Sequence, residues 1–126
     1  MRVGLVYPYH FKKAAQVFQE KISSVSPDVS FEKVMVPDRM NLFTGARQLE
    51  DSCDAVVLFE KFDEDEKLEE FERQVALFSL NFRKTIFRCF VVKENELEKH
   101  CDFFINFYFY PEKLREESQK KSFNFL

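Results

Sequence analysis

Apolar and polar positions along the chain alternate between two periods. Arg2–Tyr7 (RVGLVY) is a short run rich in Val and Leu, closed by Pro8. That is the pattern of a strand buried on both faces, as in a parallel sheet. From His10 to about Val25 the apolar residues Phe11, Ala14, Ala15, Phe18, Ile22 and Val25 recur at helical spacing, with Lys12, Lys13, Gln19 and Glu20 opposite. An amphipathic helix is predicted there, ended by Ser26-Pro27-Asp28. Val29–Val36 (VSFEKVMV) alternates first and then turns apolar, which predicts a strand nearer the sheet edge, stopped by Pro37. Asn41 stands where it can cap a short helix whose inner face is Leu42, Ala46 and Leu49.

Asp54–Phe59 (DAVVLF) reads as the clearest strand of the chain. Seven carboxylates follow or close it within the twelve residues Phe59–Glu70 (FEKFDEDEKLEE). Asp63 as N-cap with Glu66 as its capping-box partner accounts for the start of a helix. Leu68, Phe71, Val75, Phe78 and Phe82 then form one stripe at steps of three and four. Glu64, Asp65 and Glu66 would occupy the first turn, where the helix dipole favours each negative charge by roughly 0.3–1 kcal/mol. Arg83 and Lys84 would sit at the positive-favouring end. Thr85–Val92 (TIFRCFVV) is a fourth strand. The segment from Glu94 to Tyr110 is ambiguous by pattern: DFFINFYFY has strand propensity, whereas Leu97, Cys101, Phe104 and Tyr108 make a helical stripe. Pro111-Glu112 opens a last helical turn or two, and Lys120–Leu126 is expected to fray.

Strand and helix in strict alternation predict right-handed βαβ crossovers and a mainly parallel sheet flanked by helices, an α/β fold. In such sheets a ligand site lies beyond the carboxyl ends of the strands. Tyr7-Pro8-Tyr9-His10-Phe11, Pro37-Asp38-Arg39-Met40 and Glu60-Lys61-Phe62 supply that edge. At 126 residues the chain suits one domain, 1–126.

Composition narrows the function. The net charge of −3 with interleaved signs provides no clustered basic face for nucleic acid. No apolar run approaches the ~20 residues of a membrane helix, and the first residues read as a strand rather than a signal peptide. Three cysteines, an odd number at wide spacing, point to reduced thiols in a cytoplasm and against a disulfide frame or a zinc site. With 17 Phe and no Trp, the core must be built largely from benzyl groups. Only two glycines, Gly4 and Gly45, occur, so neither G-x-G-x-x-G nor a P-loop can be written. Phosphate held by a Gly-rich loop is therefore excluded, and no cofactor is expected.

The acidic run could hold a hard cation, but metal-loop spacing needs a Gly bend that is absent. It reads as the solvated start of a helix, and no metal site is expected. His10 stands where a strand delivers side chains to the carboxyl edge and is the candidate catalytic acid or base; a cap or surface role is the ordinary alternative. His100 lies in a Glu- and Lys-rich stretch and is a weaker candidate. Tyr7, Tyr9 and Phe11 cluster around Pro8, where aromatic faces can stack on a flat heterocycle or fill a subunit interface. Arg39 could meet an anionic group through its planar fork, and Cys53 is expected to be buried and inert. A nucleophilic triad finds no support. A receiver-type acid cluster is excluded because the matching places hold Tyr7-Pro8 and Phe59-Glu60.

The order of these pieces resembles a known family. VGLV at Val3–Val6, a strand ending in Val36-Pro37, Gly45–Phe59 (GARQLEDSCDAVVLF), a long helix, Lys84–Val92 (KTIFRCFVV) and Phe109–Leu114 (FYPEKL) together look like the archaeal riboflavin synthases, relatives of lumazine synthase. The similarity runs from Arg2 to about Ser122. It implies a flavodoxin-like three-layer domain with strand order 2-1-3-4, and a helix from Glu94 to Tyr110. It also implies a homo-oligomeric ring, commonly a pentamer, with sites between subunits that act on 6,7-dimethyl-8-ribityllumazine. Tyr9, His10 and Phe11 would then meet a lumazine or flavin-like ligand, Pro37, Asp38, Arg39 and Met40 would line its pocket, and Phe62 would be its lid. The chain departs from the family pattern where Pro37-Asp38 replaces Pro-Gly, where Glu60-Lys61-Phe62-Asp63 replaces a small-residue loop, and where Glu69 and Glu70 stand near the place of a histidine. A non-catalytic oligomeric scaffold and an active riboflavin synthase are the alternatives to a diverged ligand-binding member.

Overall fold

Four strands and four helices alternate along the chain in the computed structural model, which describes residues 1–64, 66–113 and 115. β1 (Arg2–Pro8) leads through a 3-10 turn at Tyr9–Phe11 into α1 (Lys12–Val25), followed by β2 (Ser30–Val36). A second 3-10 turn at Arg39–Asn41 precedes α2 (Leu42–Leu49), then β3 (Ala55–Lys61), α3 (Leu68–Ser79), β4 (Thr85–Val91) and α4 (Glu96–Phe109). The strands form one parallel sheet in the order β2-β1-β3-β4, as the resemblance implies. β2 is an edge strand, as its mixed pattern predicts.

The helices divide between the two faces of the sheet. The first crossover steps from β1 to β2 in one direction, and the next two step back across to β3 and β4. Right-handed crossovers therefore put α1 on one face and α2 and α3 on the other. α4 joins α1. On that face Phe18 meets Phe59 at 5.4 Å and Phe104 at 5.1 Å between ring centroids, both edge to face. On the opposite face Phe62, Phe71 and Phe90 contact one another at 5.3–5.7 Å. Benzyl groups thus fill both interlayer spaces, and edge-to-face pairs add about 0.5–1.5 kcal/mol each beyond area burial.

α4 resolves the ambiguous segment. Its stripe of Leu97, Cys101 and Phe104 is buried against α1 and β4. A strand would turn alternate aromatics away from that face, so tertiary burial overrides strand propensity. Pro111, Glu112 and Lys113 are helical; Leu114 and the segment 120–126 lie outside the described residues.

Three local expectations are corrected. α3 begins at Leu68, so Asp63 is not its N-cap. Glu66 Oε1 does accept from the Asp63 N–H at 2.8 Å, half of a capping box, but the turn it closes precedes the helix. The stripe shortens at its other end too: α3 stops at Ser79, and Phe82 is buried from the turn that follows. The side chain that caps the turn before α2 is Asp38, accepting from the Asn41 N–H at 3.1 Å, whereas Asn41 makes no side-chain cap bond.

A buried carboxylate at the candidate functional site

Strand order creates a switch point between β1 and β3, the neighbours from which the chain departs in opposite directions. Beyond their carboxyl ends lies the region where ligands bind in open α/β sheets. Glu60, the penultimate residue of β3, stands there with no exposed side-chain surface. A buried carboxylate requires partners for its oxygens, and three nitrogens supply them. Oε1 accepts from its neighbour's Lys61 N–H at 2.8 Å and lies 2.8 Å from His10 Nε2. Oε2 accepts from Arg39 Nε–H at 3.1 Å. The imidazole–carboxylate pair spans the switch point, with His10 arriving from the end of β1.

Arg39 extends the network. Its Nη1–H donates to Glu66 Oε2, and its guanidinium lies over the Phe62 ring, 4.0 Å from the centroid. Burial opposes the Arg39 charge, but the bonds to Glu66 and Glu60 outweigh it and its pKa is raised. In turn the bond from Arg39, and next the Asp63 N–H, lower the Glu66 pKa to about 2. Residues from three loops thereby converge: Tyr9–Phe11 after β1, Arg39 after β2, and Glu66 after β3.

His10 borders a groove of about 710 Å³ between α1 and the start of α4. Tyr9, Phe11, Ala14, Val17, Leu97 and Cys101 supply its aromatic and apolar wall. Lys12, Lys13, Lys21, Glu94 and Glu98 carry its charges. Lys21 is paired with Glu98 and Asp102, and Lys12 stands 5.2 Å from the centroid of the Tyr9 ring. A partly apolar molecule of modest size suits such a cleft.

The structure gathers some of the sequence-derived residues and separates others. Tyr9, His10 and Phe11 line the groove, although Phe11 is largely buried. Arg39 joins His10 through Glu60. Pro37 and Met40 are exposed, and Asp38 serves its 3-10 turn; none of the three borders the groove. Phe62 is 1% exposed within the α2/α3 core, so it underlies Arg39 and does not cover the groove. His100 borders a separate cavity with Phe87 and Phe103 and not the groove beside His10, and burial lowers its pKa. Cys53 is buried, which raises its pKa.

Glu60 is the residue that sequence reasoning missed. Its charge pattern belongs to the solvated acidic run, yet it is the last side chain of β3 to enter the interior. Its position offered a sign: it ends a strand buried on both faces, and His10 and Arg39 follow the ends of the two preceding strands. Among the described residues no cluster of three or more His, Cys, Asp or Glu could hold a metal ion. No helix among them is long and apolar enough to cross a membrane. Neither a known protein family nor a curated protein matches the chain.

Proposed function

We propose that the chain is a diverged relative of the lumazine and riboflavin synthases that binds a ribityllumazine or flavin-like molecule at the carboxyl edge of its sheet. The observation that carries this reading is the groove beside His10, with an exposed aromatic face at Tyr9 and an apolar wall, at the switch point of a sheet ordered 2-1-3-4. The heterocycle would stack on Tyr9, and the polar side chain of the ligand would meet the lysines and glutamates of the rim. On this reading the protein works in the cytoplasm in riboflavin metabolism, and transferase activity is a separate question from binding. Titrating the full chain into 6,7-dimethyl-8-ribityllumazine should quench the ligand's fluorescence, and Tyr9→Ala should weaken binding about fivefold, the loss of one stacking contact of about 1 kcal/mol. Unchanged fluorescence at high micromolar protein overturns the reading.

A second reading, an oligomeric scaffold without catalysis, is favoured by one feature of α4. Phe103, Phe107 and Tyr110 are each about half exposed and repeat at steps of four and three along one side of the helix end. Assembly would cover that stripe, with a pentameric ring the form the resemblance suggests. Sedimentation velocity separates the outcomes: a discrete oligomer supports the scaffold, and a stable monomer removes it.

A further inference from the structure

We propose that His10 is a general base acting through Nδ1 on a flat heterocyclic small molecule, with Glu60 as the positioning residue that fixes its tautomer. The inference rests on the groove being a ligand site and adds to it a chemical role and a named atom.

The tautomer follows from the partners of Glu60. Lys61 N–H and the Arg39 guanidinium can only donate, and both bond to the carboxylate. The carboxylate therefore meets its third nitrogen, His10 Nε2 at 2.8 Å, as an acceptor too. Nε2 then carries the proton of the neutral imidazole, and the lone pair is on Nδ1. After Nδ1 takes a proton, Nε2–H keeps its bond to the buried carboxylate at 2.8 Å. Glu60 cannot readily turn away, because Arg39 holds its other oxygen and is itself held by Glu66. The His10 side chain nevertheless keeps 56% of its surface exposed on the groove side of this buried support. An oriented base that a ligand can reach is what general-base chemistry needs. Lys12 and Lys13, also on the groove, place positive charge where a substrate anion would develop.

The step can be read with 5-nitrobenzisoxazole, a flat heterocycle that reports proton abstraction. Nδ1 takes the proton from C3, the C–H electron pair forms the nitrile, and the N–O bond breaks to leave a coloured cyanonitrophenolate. No oxidant or other reactant enters. The wild-type chain should turn the probe over at least about a hundredfold faster than His10→Gln, and Glu60→Gln should lose about tenfold or more. Nitrogen-15 NMR of the wild-type histidines should find His10 protonated at Nε2 when neutral. That signature needs no variant and survives if Glu60→Gln fails to fold. Equal rates for wild type and His10→Gln, or a proton on Nδ1 of the neutral ring, overturn the inference. Ribityllumazine binding is titrated on the same samples. Binding without probe turnover leaves the ligand site standing and removes the base; turnover without lumazine binding does the reverse.

Discussion

Removing Arg39 tests how the interior tolerates Glu60. Arg39→Ala strips a permanently charged partner from a carboxylate with no exposed surface, and breaking a buried pair from one side costs about 3 kcal/mol. Urea denaturation should show the midpoint falling with an unchanged m-value. A loss below about 1 kcal/mol would mean that Lys61 N–H and His10 suffice for Glu60. Glu66 gives the same network a pH signature. Its pKa is lowered from 4.5 to about 2, so its contribution to stability is complete above pH 4.5 and is lost as the pH falls towards 2. Glu66→Gln should therefore destabilise the protein at pH 6 and matter progressively less below pH 4.5, measured by thermal unfolding across that range. At this scale the sequence was partly legible. His10 and Arg39 could be placed on the carboxyl edge because each follows a strand end. Glu60 could be placed on that edge as well, but its burial could not be read, because nothing in FEKFDEDEKLEE distinguishes one buried carboxylate from its exposed neighbours; only the arrival of His10 and Arg39 from distant loops makes its burial tolerable.

At the level of elements, α2 is the most closely fitted to the sheet. A methyl group added at Gly45 would lie 2.5 Å from Val6 Cγ1 and 3.1 Å from Val36 Cγ1, both on strands beneath the helix. Gly45→Ala gains about 1 kcal/mol of helix propensity and meets about 1–3 kcal/mol of overpacking. The expected net change is a destabilisation of about 1 kcal/mol by urea denaturation, and a stabilised variant would show that α2 can slide outwards. The inner faces of α1 and α2 are readable from spacing up to the end of α1: Ala14, Phe18, Ile22, Leu42, Ala46 and Leu49 are all buried, whereas Val25, last of the α1 stripe, is exposed. Helix starts were less so. Asp63 has the chemistry of an N-cap, but Glu66 is also bonded to Arg39, and a separate turn precedes the start of α3 at Leu68. Capping patterns describe what a segment can do alone; a distant arginine changed what this one does.

For the whole molecule, the three thiols report whether both interlayer cores open together. Cys53 is buried on the α2/α3 side, and Cys89 and Cys101 on the α1/α4 side. Burial raises the pKa of all three, that of Cys101 to about 11, so little thiolate is available near neutral pH. The folded protein should resist Ellman's reagent at pH 8, and three equivalents should react in denaturant; rapid labelling of one thiol alone would mean that one layer opens first. Strand and helix alternation made the parallel sheet legible, and Phe abundance made its cores legible. Strand order came through resemblance, because hydrophobic pattern does not say on which side of β1 the next strand pairs. The bridge from Arg39 to Glu60 and Glu66, and from Glu60 to His10, has a mechanical consequence. Loops belonging to three separate crossovers are fastened to one guanidinium and one carboxylate. They cannot flex one at a time without unfastening a charge from the interior. The ordering entropy of these three loops is therefore lost when the chain folds, before any ligand could enter the groove beside them.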